Sequence, residues 1–108
     1  MPYFVYILRC SDGTFYTGYT ENLTRRVKQH QSGSIPRSYT KPRRPVELVW
    51  AGEFETKEEA RANERKIKRW KPDKKEALIR EDKLQTAQIL ENESGTGPGL
   101  FLPGTGKK

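Results

Sequence analysis

The sequence predicts one small mixed α/β domain of the α+β kind, and three observations lead there. Residues 3–19 read as two short aromatic and β-branched strands joined by a turn signal. Three helical stretches follow, and another β-rich run lies between the first and second of them. At 108 residues the chain has room for one core but not for two.

The first strand, residues 3–9, is apolar on both alternating faces, which suits a central position in a sheet. Ser11-Asp12-Gly13 then marks a turn and Thr14–Thr17 a second strand. A two-residue turn would put Tyr6 and Tyr16 on opposite faces. A three-residue loop with Gly13 in the left-handed position pairs Leu8 with Tyr16 and Tyr6 with Gly18, making the tyrosines diagonal neighbours on one face. The three-residue loop is the expectation, with Gly18 leaving an open floor where a ligand can approach the backbone.

A first helix over roughly 22–32 has Thr20 or Asn22 as its cap, ends near Gly33, and buries Leu23 and Val27. Arg26 and His30 form a second stripe at the edge of that core. Residues 32–45 are loop by composition, and Val46–Ala51 is a third strand. Thr56-Lys57-Glu58-Glu59 has the capping-box pattern and starts a helix running to about Trp70. Glu64 falls on its inward face, between Ala60 and Ile67. A lone carboxylate there costs free energy unless a partner, a metal ion or water meets it. Pro72-Asp73 restarts the chain into a short helix over 73–83, with Ala77, Leu78 and Leu84 candidates for burial. Residues 1–83 thus read as the folded domain, 84–91 as a helical extension or linker, and 92–108 as a disordered Gly/Pro-rich tail.

Composition narrows the partners. The formal charge is +7, from 21 basic and 14 acidic residues, and it belongs to residues 1–83 because residues 84–108 are neutral as a whole. That favours a nucleic-acid partner. The single Cys10 excludes an intramolecular disulfide and a cysteine zinc site. No run approaches the ~20 apolar residues of a membrane span, and residues 1–10 lack the pattern of a signal peptide. A cytoplasmic protein is the expectation.

Phe4-Val5-Tyr6-Ile7-Leu8, Tyr16-Thr17-Gly18-Tyr19-Thr20, Leu23-Thr24-Arg25-Arg26, His30, Arg43-Arg44-Pro45 and Glu64, in this order, resemble the GIY-YIG nuclease superfamily. The likeness covers about residues 2–80. It is strongest to the small stand-alone bacterial branch, and the sequence is also similar to the domain of Slx-type structure-specific endonucleases. Val5-Tyr6-Ile7 keeps only the tyrosine of the first motif, and Thr17 replaces the usual isoleucine of the second. No separate DNA-targeting segment is evident, so a protein partner that supplies targeting is an expectation. The resemblance implies a three-stranded antiparallel sheet flanked by helices, and hydrolysis of DNA with one divalent ion, Mg²⁺ or Mn²⁺.

The chemistry asks for these residue types. Phosphodiester cleavage needs an attacking water, stabilisation of phosphoryl charge and help for the departing oxygen. Glu64 is a hard oxygen ligand for the ion, and Arg26 offers a forked donor set matched to phosphate. Tyr16 is the candidate base, directly or through water; Tyr6 would orient the water or the phosphate. His30 would hydrogen-bond a tyrosine or a phosphate oxygen. Each also has an ordinary structural reading, including pairing of Glu64 with Arg61 or Lys68 across a helix turn. Lys41, Arg43, Arg44, Lys66 and Arg69 are candidate phosphate contacts. The leading function is a metal-dependent DNA endonuclease, acting on branched, flapped or damaged DNA. The alternative is a non-catalytic nucleic-acid-binding module on the same fold.

Overall fold

A computed structural model describes residues 2–94. The elements are β1 (Tyr3–Arg9), β2 (Phe15–Thr20), α1 (Leu23–Ser32), a short 3-10 turn (Lys41–Arg43), β3 (Glu47–Phe54), α2 (Lys57–Lys68), α3 (Pro72–Glu81) and α4 (Lys83–Ser94). The strands form one antiparallel sheet in the order β2-β1-β3, so the doubly apolar β1 is central. The domain is a three-stranded α+β fold of the expected kind.

The hairpin settles the tyrosine geometry. Gly13 sits at φ +87, and the Cys10 and Gly13 amides donate to the Thr14 and Cys10 carbonyls, closing the three-residue loop. The resulting register pairs Tyr6 with Gly18 and Leu8 with Tyr16. Gly18 is not an open floor, however. A side chain there would run into the Tyr6 ring, so the missing Cβ makes room for that ring rather than for a ligand.

One face of the sheet packs Phe4, Tyr6, Leu8 and Leu48 against Leu23 and Val27 of α1 and Ile89 and Leu90 of α4. The other packs Val5, Ile7, Val49 and Trp50 against Ala60 and Ile67 of α2 and Ile79 of α3. Asn22 caps α1 by accepting from the Arg25 amide, and Thr56 caps α2 by accepting from Glu59. Both β2 and β3 run three residues further than expected. α2 stops at Lys68 rather than Trp70, because Arg69 and Trp70 donate to the Lys66 and Ile67 carbonyls in a tightened final turn.

Two expectations fail toward the C-terminus. Leu84 is 87% exposed, and Ile79 is the apolar residue of α3 buried in the core, with the expected Leu78 packed half-buried against it. Residues 84–91 belong to α4, whose Thr86 reaches the Ala51 backbone amide at 3.2 Å. Helix also continues through Asn92–Ser94, where tail was expected. The rest of the expected disordered tail, 95–108, lies outside the described residues. No helix among them is long and apolar enough to cross a membrane.

Candidate active site

Tyr6 is the hub. Its ring lies in the core and its hydroxyl meets His30 Nε2 at 3.0 Å. His30 was expected at the core's edge but is only 2% exposed, because the i, i+3 step from buried Val27 keeps it on the core stripe of α1. Its other ring nitrogen, Nδ1, lies 2.7 Å from Thr40 Oγ1, and Thr40 meets Ser38 Oγ at 2.7 Å. A hydrogen-bonded chain therefore runs Tyr6–His30–Thr40–Ser38 from the core to a half-buried loop serine. With both ring nitrogens engaged, His30 acts on the tyrosine and has no nitrogen left for a phosphate.

Charge and burial tune this chain. Burial is the main cause that raises the Tyr6 hydroxyl pKa well above the ordinary tyrosine range; Tyr16 and Glu64 add to it, and Arg26 opposes it. Burial, then the Arg26 guanidinium, lower His30 from 6.5 to about 4. Both groups are thus neutral at physiological pH. A neutral chain can run in either of two senses. In one, Tyr6 donates to Nε2; in the other, Nε2–H donates to Tyr6 and frees the phenol proton to point elsewhere.

Tyr16 sits beside these groups, its ring centroid 6.3 Å from that of Tyr6 and 5.0 Å from that of His30. Arg26 and Glu64 are near enough to act electrostatically on the Tyr6 hydroxyl. The structure therefore gathers all five expected residues around one point: two from the hairpin, two from α1 and one from α2. Glu64 is 17% exposed and contacts Lys68 at 3.4 Å, the i, i+4 pairing weighed above. Helical i, i+4 pairs at exposed sites contribute roughly 0.3–0.5 kcal/mol, and with the Lys68 ammonium half exposed this partner is readily exchanged for a stronger one.

The expected phosphate contacts divide into two groups. Arg43 is committed to the fold: it pairs with Asp12 at 3.2 Å, donates to the Tyr39 carbonyl at 2.8 Å and covers the Tyr39 ring at 3.8 Å. Arg44 donates to the Lys41 and Ser32 carbonyls at 3.0 and 3.2 Å, tying the loop to the end of α1. Lys41, Lys66 and Arg69 are exposed and form no ion pair among the described residues.

Sequence reasoning missed the loop contribution. Tyr39, 41% exposed, stacks beside Tyr16 at 6.3 Å and donates its hydroxyl to Thr14 Oγ1 at 2.9 Å. It forms a strap over the outer side of Tyr16, and Thr40 next to it anchors His30. Neither residue belongs to a periodic element. A lone Ser-x-Thr in an Arg- and Pro-rich loop carries no signal separating it from solvated linker.

A hairpin presenting two tyrosines, with an arginine on the next helix and a carboxylate on a later one, defines a GIY-YIG domain. The chain matches the family model described as the GIY-YIG catalytic domain over residues 2–77, and it belongs to that nuclease family. Within it, the chain falls with the UPF0213 proteins, which are small and stand-alone. It is 48% identical over 79 residues to the UPF0213 protein of Staphylococcus aureus strain Mu50, a match spanning 73% of this chain and 95% of that protein. A solution NMR structure of an Enterococcus faecalis protein is 36% identical and gives a TM-score of 0.55, covering 78% of this chain and 88% of that one. A UPF0213 protein from Bacillus halodurans, also solved by NMR, is 38% identical with a TM-score of 0.49, over 90% and 99% of the two chains.

Proposed function

We propose that this chain is a divalent-metal-dependent endonuclease that hydrolyses DNA phosphodiester bonds, with branched, flapped or damaged DNA as its substrate and a protein partner delivering it. One observation carries the reading: Tyr16, Arg26 and Glu64 all act on the Tyr6 hydroxyl, which His30 holds from behind.

Each residue has work suited to its surroundings. Arg26, always charged, clamps the phosphoryl oxygens as negative charge builds on them. Tyr16 accepts the proton of the attacking water, directly or through a second water, as its own phenol proton passes to solvent. Tyr6 stays protonated because it is buried, so it positions by hydrogen bonding rather than by acting as a base. His30 and Thr40 fix the direction in which that hydroxyl points.

Glu64 suits one Mg²⁺ or Mn²⁺. Mg²⁺ commonly takes one or two carboxylates and keeps several waters, and Glu64 is an inward carboxylate held only by an exposed, exchangeable lysine. No group of three or more His, Cys, Asp or Glu side chains that could cage a metal occurs among the described residues, which fits a site completed by waters and substrate. When bound, such an ion supplies Lewis-acid stabilisation of charge on the phosphate and the leaving oxygen.

The test is cleavage of labelled duplex, single-stranded, flap and branched DNAs with Mg²⁺ or Mn²⁺, comparing wild type with Glu64→Ala. Metal-dependent nicking that falls by about 100-fold or more in the variant is expected. Equal activity in both proteins would remove Glu64 from the site. Salt-sensitive binding without cleavage by wild type would leave a non-catalytic nucleic-acid-binding module.

A further inference from the structure

A cavity of about 500 Å³ opens where the end of β2 meets α1, and the chemistry described above uses only one of its walls. Asn22, Arg25, Arg26 and Gln29, successive members of one stripe along α1, line it together with Tyr19 and Glu21. β2 is an edge strand, so among the described residues no further strand closes this side of the sheet. Among the described residues, neither Arg25 nor Arg26 forms an ion pair, and the Gln29 side-chain amide has no hydrogen-bond partner. Asn22 uses its Oδ1 to cap the Arg25 amide, leaving its NH₂ group to donate.

The lining selects a ligand. Two guanidiniums against the single carboxylate of Glu21 leave one net positive charge, the complement of one phosphodiester. A phosphate alone would fill little of a cavity this size, which falls within the ~300–1,000 Å³ range of small-molecule sites. The amides of Asn22 and Gln29 offer donors and an acceptor suited to the edge of a nucleobase. Arg26 is common to the cavity and the tyrosine cluster, so whatever fills the cavity lies next to the bond being cut.

We infer that this cavity holds one unpaired nucleotide of the DNA strand being cut, its phosphate on Arg25 and Arg26 and its base edge on Asn22 and Gln29. The base must be unpaired, because a nucleotide taken whole into a cavity has left the duplex stack, which frees its pairing edge for the two amides. The assignment to the cut strand rests on the nuclease reading; the binding itself does not.

Titrating the ¹⁵N-labelled protein with a thymidine trinucleotide tests it. The side-chain amides of Asn22 and Gln29 and the backbone near Arg25 should shift. Arg25→Ala and Gln29→Ala should each weaken the apparent Kd by about fivefold, while Arg80→Ala, an exposed charge on α3, changes it less than twofold. A blunt, fully paired DNA duplex of two G·C-rich strands should leave the Gln29 amide unmoved. Equal weakening by Arg80→Ala, or the same shifts with sodium phosphate alone, would reduce the effect to general charge and overturn the proposal. A Gln29 response to that duplex would overturn the requirement for an unpaired base. Because these readouts need no cleavage, shifts at the cavity in a protein that cuts nothing would uphold the pocket and sink the nuclease reading. Cleavage without such shifts would do the reverse.

Discussion

On the face of the sheet covered by α1 and α4, the buried polar groups include a chain of Tyr6, His30 and Thr40, each hydrogen-bonded to the next, and Thr86, which is bonded to the Ala51 backbone. The face covered by α2 and α3 is closed by Val5, Ile7, Trp50, Ala60, Ile67 and Ile79. Most of its polar contacts lie nearer the rim: Arg9 with Glu76, Trp50 with Asp82 and Lys68 with Glu64. Inside it Thr17 Oγ1 is buried without a partner, and burial, with Lys68 nearby, lowers the pKa of Lys75. The contrast shows how a small domain can hold reactive groups. One face supplies stability through apolar area; the other spends part of its interior on a polar chain that must be fully satisfied to be tolerated. Glu64 is the exception, carried by the helix of the apolar face yet near enough to help raise the pKa of Tyr6 on the other.

The largest effect that would sharpen this contrast is loss of apolar filling. Ile7→Ala removes a fully buried side chain from the α2 face and should cost about 2–5 kcal/mol of stability by urea unfolding. The Tyr6–His30 hydrogen bond should stay intact in the folded fraction, as seen in the His30 ring ¹⁵N shifts. A disturbed bond would mean that the two faces are not independent.

Acid should act through the other face. His30 has a folded-state pKa of about 4 against an ordinary 6.5, so the unfolded chain binds more protons between these values. The stability it contributes is complete above pH 6.5 and is lost as pH falls toward 4, at up to ~1.4 kcal/mol per pH unit and about 3 kcal/mol in all. Urea midpoints across that window should fall more steeply for wild type than for His30→Gln. Parallel slopes would show that His30 is not held neutral by its surroundings.

A smaller effect probes the anchor of the chain. Thr40→Val keeps the shape but leaves His30 Nδ1 without its partner, and should cost about 1–3 kcal/mol. It should also change the His30 tautomer balance read from ring ¹⁵N shifts. Unchanged shifts would mean that Thr40 fills space and does not set the direction of the chain. The smallest change has the opposite sign. Thr17→Val replaces an unpartnered hydroxyl on the apolar face with a methyl of similar size and should raise stability by about 1 kcal/mol.

Much of the fold was legible because it depends on local chemistry. The Ser11-Asp12-Gly13 loop fixes the hairpin register, and with it the shared face of Tyr6 and Tyr16. Asn22 and Thr56 mark helix starts because their side chains satisfy amides that the helix leaves open. Glu64 was found inward because Ala60 and Ile67 flank it on one helical face. Those patterns repeat with the period of the backbone, so a sequence displays them.

What the sequence could not display was set by contacts between distant segments. Gly18 reads equally well as an open floor or as room for a ring, and only the packing of Tyr6 decides. Arg43 and Arg44 read as free cations until Asp12, Tyr39, Lys41 and Ser32 are seen to engage them. Thr40 and Tyr39 gain their roles only when the loop folds back over the hairpin. By itself the sequence determined most of the elements, the hairpin register and the set of residues that meet around Tyr6. Tertiary structure decided which of those groups are buried, what each is bonded to and therefore what state its protons are in, because burial and hydrogen bonding are properties of neighbours far away along the chain.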